Sequence, residues 1–245
     1  MDASIIKGAD ELIYEGNEVG VLVSHGFTGT TQSVRPLVEQ YERAGYTVYA
    51  PRLEGHGQTP EDMERTSYHD WLASIEKAAK WLQERCDAIF LVGLSMGGTL
   101  VLDLAERYEK VKGTVLINAA IDIPAMKHID QDHRFIEAVG SDIKKQVQEL
   151  AYERTPVKSV EQLLLLMDRV KGKLSGVRSP VLLFVSDEDH VVPPRNSEVI
   201  FQSVFSERKE IVHLENSYHV ATLDYDQDLI IERSLEFFEM YAKTK

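Results

Sequence analysis

The sequence predicts an α/β domain: a mostly parallel sheet covered by helices on both faces. Short β-branched runs alternate with longer amphipathic segments along the chain. Length and balance agree, since 245 residues with 43% hydrophobic and 27% charged side chains suit one ordinary domain with a large core. A single interval, residues 120–179, breaks the alternation and reads as an insertion.

The expected strands are "GVLVSHG" (20–26), "YTVYAP" (46–51), "AIFLVG" (88–93), "GTVLINA" (113–119), "PVLLFVS" (180–186) and "KEIVHLE" (209–215). Helical spacing marks residues 32–44, 67–85, 96–109, 195–205 and 225–242. Trp71, Ile75, Ala78, Ala79 and Leu82, for example, fall on one face. The insertion offers no good strand and two or three helical patterns. Val160, Leu163, Leu164, Met167 and Val170 recur at helical intervals there, and Leu165 and Leu166 widen the stripe. The domain division is therefore a core of 1–119 and 180–245 with a helical cap, or lid, at 120–179, inserted after the strand near 113–119. The cap helix either packs on the core or turns a second apolar face toward a pocket.

Bulk properties exclude several classes. A net charge of −13 repels phosphate backbones, so no nucleic acid partner is expected. No apolar run approaches the roughly 18 residues that span a bilayer. "MDASIIKGADELIYEG" lacks the pattern of a secretory leader, which predicts a cytoplasmic protein. Cys86 is the only cysteine, which excludes an internal disulfide and reads as a structural thiol. His128 and His133 in "HIDQDH" have no third ligand at a recognisable spacing, so no metal is expected.

Chemistry centres on Gly93-Leu94-Ser95-Met96-Gly97, followed by Gly98. A strand that enters a helix through a one-residue turn drives its central residue to positive φ, and side chains two positions away would strike neighbouring backbone. Glycine at both flanks relieves that clash, so Ser95 reads as a nucleophile lifted from the sheet; the plainer alternative is a small residue in a tight turn. A serine hydroxyl needs a base, and the base needs an acid to orient it. His219, in "LENSYHVATLD" between the last strand and the last helix, is the best-placed base; His213, His69, His128 and His133 are weaker candidates. For the acid, "FVSDEDHVVPP" supplies Asp189 first, with Asp187 beside it and Asp122 in "NAAIDIP" as alternatives. Serine, acid, histidine is the chain order expected of an α/β-hydrolase.

The tetrahedral oxyanion needs preorganised N–H donors, each contributing about 3 to 4 kcal/mol to lowering the barrier. Met96 at the helix N-terminus and Phe27 in "SHGFTGT" are the expected donors, with Gly26 and Gly29 allowing the backbone close to substrate. His25 reads as a hydrogen-bonding support for that loop.

Taken together, "VLVSHGFTGTTQSVRPL", "GYTVYAPRLEGHGQTPEDME", "GLSMGGTL", "FVSDEDHVVPP" and "NSYHVATLDYD" resemble bacterial monoacylglycerol lipases and related small carboxylesterases. The similarity runs from about Gly20 to the C-terminal helix and takes in "INAAIDIPA" and "VGSDIKKQVQELAYERTP". The resemblance implies an α/β-hydrolase fold with Ser95, Asp189 and His219 as triad and Phe27 and Met96 as oxyanion donors. It implies no cofactor. It further implies that Glu149 contacts glycerol hydroxyls and that Val139 lies near the acyl or glycerol channel; an exposed helix carboxylate is the plainer reading of Glu149. The charged "MKHIDQDHRF" departs from the longer, glycine-rich segment of the family.

The expected function is a serine hydrolase that cleaves monoacylglycerols and other small carboxylic esters. The implied partner is a lipid ester substrate, met in transient contact with a membrane surface. A general carboxylesterase or thioesterase is the alternative, and a non-catalytic receptor on the same fold is a third reading.

Overall fold

The computed structural model describes residues 4–108, 110–139 and 141–242. Residue 109 of the expected helix 96–109, residue 140 of the expected cap, and 1–3 and 243–245 of the expected core lie outside the described residues. The strands are β1 (Leu12–Tyr14), β2 (Val19–Ser24), β3 (Thr47–Ala50), β4 (Ala88–Leu94), β5 (Val111–Ile117), β6 (Phe135–Glu137), β7 (Arg154–Pro156), β8 (Val181–Ser186) and β9 (Lys209–Leu214). The helices are α1 (Arg35–Arg43), α2 (Pro60–Glu64), α3 (Tyr68–Gln83), α4 (Met96–Arg107), α5 (Val157–Lys171), α6 (Arg195–Ser203) and α7 (Gln227–Ala242).

Seven strands form one sheet in the order β1-β3-β2-β4-β5-β8-β9. Only β1, on the edge, runs antiparallel to its neighbour. Alternate residues of each central strand enter opposite cores. Leu91, Leu116 and Leu183 face α3, α4 and α5, whereas Val92, Ile117 and Phe184 face α1 and α7. Burial on both faces is why these strands read as near-continuous apolar runs.

The strand order also fixes where chemistry can occur. After β2 the chain passes to β3 on one side, then returns to β4 on the other. That reversal opens a crevice at the carboxyl ends of β2 and β4, the general ligand position of open parallel sheets.

All six expected strands and five expected helices are present, with ends displaced by a few residues. β1 and α2 were not expected, because three and five residues are too few to carry a periodicity. α2 has the local signals of a helix start even so: Thr59 accepts from the Asp62 N–H at 3.1 Å, and Pro60 opens the first turn. A reciprocal Ser67–Asp70 capping box starts α3.

Within 120–179 the structure departs from the expected helical patterns. Among the described residues it has one α-helix, α5, two 3₁₀ turns at Pro124–His128 and Leu174–Gly176, and an antiparallel ribbon of β6 with β7. Side chains hold this ribbon. The Phe135 ring lies between the guanidinium groups of Arg134 (4.9 Å) and Arg154 (4.2 Å). Those groups bind Glu64 and Glu61 at α2.

α5 buries Val160, Leu163, Leu166, Met167 and Val170, so Leu166 joins the stripe, whereas Leu165 stays 52% exposed. A buried carboxylate pins α5 to α4. Asp103 receives Arg169 Nε at 2.9 Å and Arg107 at 2.8 Å.

Phe238 on α7 is fully buried and meets Phe90, Tyr41 and Tyr46 with ring centroids 4.7, 5.1 and 5.5 Å away. Phe238→Ala is expected to lower unfolding stability by about 4 kcal/mol through lost burial and the cavity left behind. Urea titration should show the midpoint falling with the slope unchanged.

Candidate active site

Ser95 stands between β4 and α4 at φ 55° and ψ −120°, where a left-handed backbone projects its side chain into the crevice. The flanking glycines are steric necessities. A Cβ on Gly97 would lie 2.3 Å from the Ser24 carbonyl oxygen, and one on Gly93 would lie 2.4 Å from the Gly97 backbone. α4 therefore starts in direct contact with the end of β2, a distance set by absent side chains.

The structure brings Ser95, His219 and Asp189 together. His219 Nε2 is 2.9 Å from Ser95 Oγ, and His219 Nδ1 is 2.8 Å from Asp189 Oδ2. With Nδ1–H donating to the carboxylate, Nε2 is free to accept from the hydroxyl. Asp189 is held in turn, since its Oδ1 accepts the Val191 and Val192 N–H groups at 2.9 and 2.8 Å. His219 and Asp189 are almost wholly buried, at 3% and 1% side-chain exposure, which strengthens their hydrogen bond by excluding water.

The alternative acids lie elsewhere. Asp187 pairs with exposed His213 at 2.6 Å. Asp122 pairs with Lys127 at 2.7 Å and Lys171 at 3.6 Å, and the Lys127 ammonium holds its carboxyl below the usual range. His69, His128 and His133 are exposed.

Phe27 lines the cavity beside Ser95, and Met96 directly follows Ser95 as the first residue of α4. Among the described residues neither backbone N–H has a protein acceptor, as required of donors kept for an oxyanion. A Cβ on Gly26 would come within 3.3 Å of Ser95 Cβ, so the glycine brings its loop against the hydroxyl. Thr28 follows at φ 62°, an unfavourable value for a β-branched residue. Residues of the insertion hold it there: Thr28 Oγ1 donates to the Val139 carbonyl at 3.0 Å, and Tyr152 N–H donates to the Thr28 carbonyl at 3.3 Å.

Two histidines support this loop from beneath. His25 Nδ1 reaches the Gly26 carbonyl at 3.0 Å, and its Nε2 accepts the Leu53 N–H at 3.2 Å. That pattern needs a neutral ring. Burial pulls the His25 pKa down to about 4. His56, 5.2 Å away centroid to centroid and edge-on to Trp71, is lowered well below the usual value, by burial and then by His25.

Ile123, Met126, Val139, Leu163, Val191 and Val220 complete an apolar wall. The cavity leaves ≈ 20 Å³ of room for a water-sized sphere, about enough for one water. Glu149 is its acidic member. The carboxylate lies on irregular chain, not on the exposed helix of the plainer reading. Its Oε2 accepts from Ser141 Oγ at 2.6 Å, and burial raises its pKa.

Asn118 was not singled out from sequence, yet it joins three strand ends. It follows β5 at φ 46°, its Oδ1 accepts the Ser186 N–H at 2.8 Å, and its Nδ2 donates to the His219 carbonyl at 2.8 Å. Asn196 does the same for the acid loop, accepting from the Ile121 and Asp122 N–H groups and donating to the Pro193 carbonyl. An asparagine directly after an apolar strand was the available signal for the first; the second had none.

Sheet topology and this constellation define an α/β-hydrolase. The chain belongs to the Hydrolase_4 family, described as serine aminopeptidase, S33, whose model matches residues 17–226. It is 56% identical over 243 residues to the thermostable monoacylglycerol lipase of Bacillus sp. (strain H-257), covering 97% of each chain. A carboxylesterase of Bacillus subtilis (strain 168) is 30% identical over 241 residues, covering 92% of this chain and 94% of the relative. Among solved structures, one from work on the metagenome-derived lipolytic enzymes LipS and LipT superposes with a TM-score of 0.94 at 46% identity, covering 97% of this chain and 100% of the other.

Because His25 is neutral when folded and titrates near pH 6.5 when unfolded, the unfolded state binds the extra proton between pH 6.5 and about 4. Stability is therefore expected to fall on acidification through that window, by about 1.4 kcal/mol per pH unit for each such histidine. Urea titrations across this range test it; a His25→Gln variant should show a shallower slope.

Proposed function

We propose that this chain is a serine hydrolase that cleaves monoacylglycerols, and other small carboxylic esters, to an alcohol and a fatty acid. The 2.9 Å contact of Ser95 Oγ with His219 Nε2, beneath an apolar wall carrying one carboxylate, is the observation that carries this reading. The 56% identity to a monoacylglycerol lipase supports the substrate class.

In this reading His219 Nε2 takes the Ser95 proton as Oγ attacks the ester carbonyl. The Phe27 and Met96 N–H groups hold the developing oxyanion. As the intermediate collapses, the imidazolium, balanced by Asp189, gives its proton to the departing glycerol oxygen. Water then repeats the cycle on the acyl-enzyme, releasing fatty acid and restoring Ser95. The apolar side chains take the acyl chain and Glu149 accepts from a glycerol hydroxyl. Residues 120–179 act as cap. Substrate carried in lipid requires transient contact with a membrane surface.

Hydrolysis of mono-, di- and triacylglycerols of graded chain length, beside p-nitrophenyl esters and thioesters, tests the substrate class. Higher kcat/KM for simple esters or thioesters than for any monoacylglycerol would move the reading to a general carboxylesterase or thioesterase. A fluorophosphonate should add once to the wild type and not to Ser95→Ala, whose kcat should drop about 10⁵-fold. Since the base acts only when neutral, kcat/KM should fall on acidification, and a flat profile over about pH 5 to 8 contradicts the mechanism.

Glu149→Ala should raise KM for monoacylglycerol about tenfold by removing a charged acceptor. KM for p-nitrophenyl acetate, which has no hydroxyl to offer, should not change. Equal effects on both substrates would reject the assignment.

A further inference from the structure

We propose that Asp142, from the 120–179 segment, is a positioning residue that sets the alignment of His219 with Asp189. The proposal rests on the hydrolase reading above and concerns a residue that touches neither the substrate nor the reacting atoms of that mechanism. Its carboxylate lies between two loops that leave different strands. On the β8 side, Asp142 Oδ2 accepts the His190 N–H at 3.1 Å, and both oxygens lie 3.1 Å from His190 Nδ1. His190 directly follows the acid Asp189. On the β9 side, Oδ2 is 3.4 Å from the His219 N–H, and the Asp142 carbonyl accepts the Val220 N–H at 3.0 Å.

One residue thus holds the chain next to both partners of the 2.8 Å Asp189–His219 hydrogen bond. Neighbouring contacts make the attachment rigid. Asp224, buried after the histidine loop, accepts the N–H groups of Lys144 and Lys145 at 2.7 and 3.0 Å, and that of Tyr218 at 2.9 Å. Lys144 Nζ lies 5.1 Å over the Tyr218 ring. Backbone donors bound to ionised acceptors form strong, directional contacts. Seating residues 142–145 and aligning imidazole with carboxylate are therefore one event.

Two variants test this positioning role. Asp142→Asn keeps shape and acceptor but removes the charge; Asp142→Ala removes all three. The substrate is p-nitrophenyl acetate, and active sites are counted by fluorophosphonate titration so that misfolded protein does not enter kcat. Per-site kcat of Asp142→Ala should fall about 10- to 100-fold, with KM within about threefold of wild type. Asp142→Asn, which keeps shape and acceptor, should recover most of that loss. An unchanged per-site kcat in Asp142→Ala overturns the proposal, as does a per-site kcat of Asp142→Asn more than about tenfold below wild type. The second readout remains decisive if the alanine variant fails to fold. Failure of the wild type to hydrolyse any ester, or to take up fluorophosphonate, refutes the hydrolase reading itself, so the two failures are distinct.

Discussion

Between the end of β2 and the first turn of α4 there is no room for a methyl group, and the candidate site depends on that closeness. A Cβ on Gly97 would overlap the Ser24 and His25 carbonyls, at 2.3 and 2.6 Å. Only with glycine there does the helix N-terminus sit against the neighbouring strand. The register of β2 with β4, which pairs Ser24 with Gly93, puts the two strand ends level. Close backbone packing of this kind tolerates little adjustment, because protein interiors are already filled at crystal-like density. Geometry at the proposed nucleophile is thus a consequence of sheet register and of side chains that are missing.

The other half of the constellation depends on polar groups that the sheet edge would otherwise leave unpaired. Strands β5, β8 and β9 end where backbone donors and acceptors lose their ladder partners, and each buried one requires a replacement. Asn118 supplies two of these bonds, to the Ser186 N–H and the His219 carbonyl, and adds a third to the Ser186 hydroxyl. Asn196 satisfies the turn after β5 and the proline corner after the acid. Satisfied networks in a low-dielectric setting hold their members in single positions. Loops reaching the site from separate strands can for that reason meet at hydrogen-bonding distance.

What could be read from the sequence follows from the range of each signal. "AIFLVGLSMGGTL" carries strand, turn and helix start within consecutive residues, so the fold class and the place of Ser95 were legible there. His219 and Asp189 were reachable because each follows a strand at the same sheet edge. The insertion was not, since β6 and β7 are three residues each and their ribbon is fixed by Phe135 between two arginines whose partners lie some 70 to 90 residues earlier. Long-range pairing of this type leaves no local periodicity. Asn196, Asp142 and Asp224 were likewise invisible, because a polar residue in a loop looks the same whether it meets water or a buried amide.

The two carboxylates nearest the imidazole illustrate how surroundings divide labour between like groups. Asp189 receives three donors, His219 Nδ1–H and two backbone N–H groups, so both oxygens are occupied and oriented. Nothing is left on it for a substrate. Glu149 accepts from the Ser141 hydroxyl and lines the cavity, and burial raises its pKa against the smaller lowering effects of Ser141, His219 and Ser33. A group so placed gains most from a ligand that brings its own O–H, because that hydrogen bond replaces hydration already lost. An alcohol that carries further hydroxyls fits this requirement better than a simple alkyl ester does. The polyol leaving group of the proposed reaction thus answers to the same desolvation.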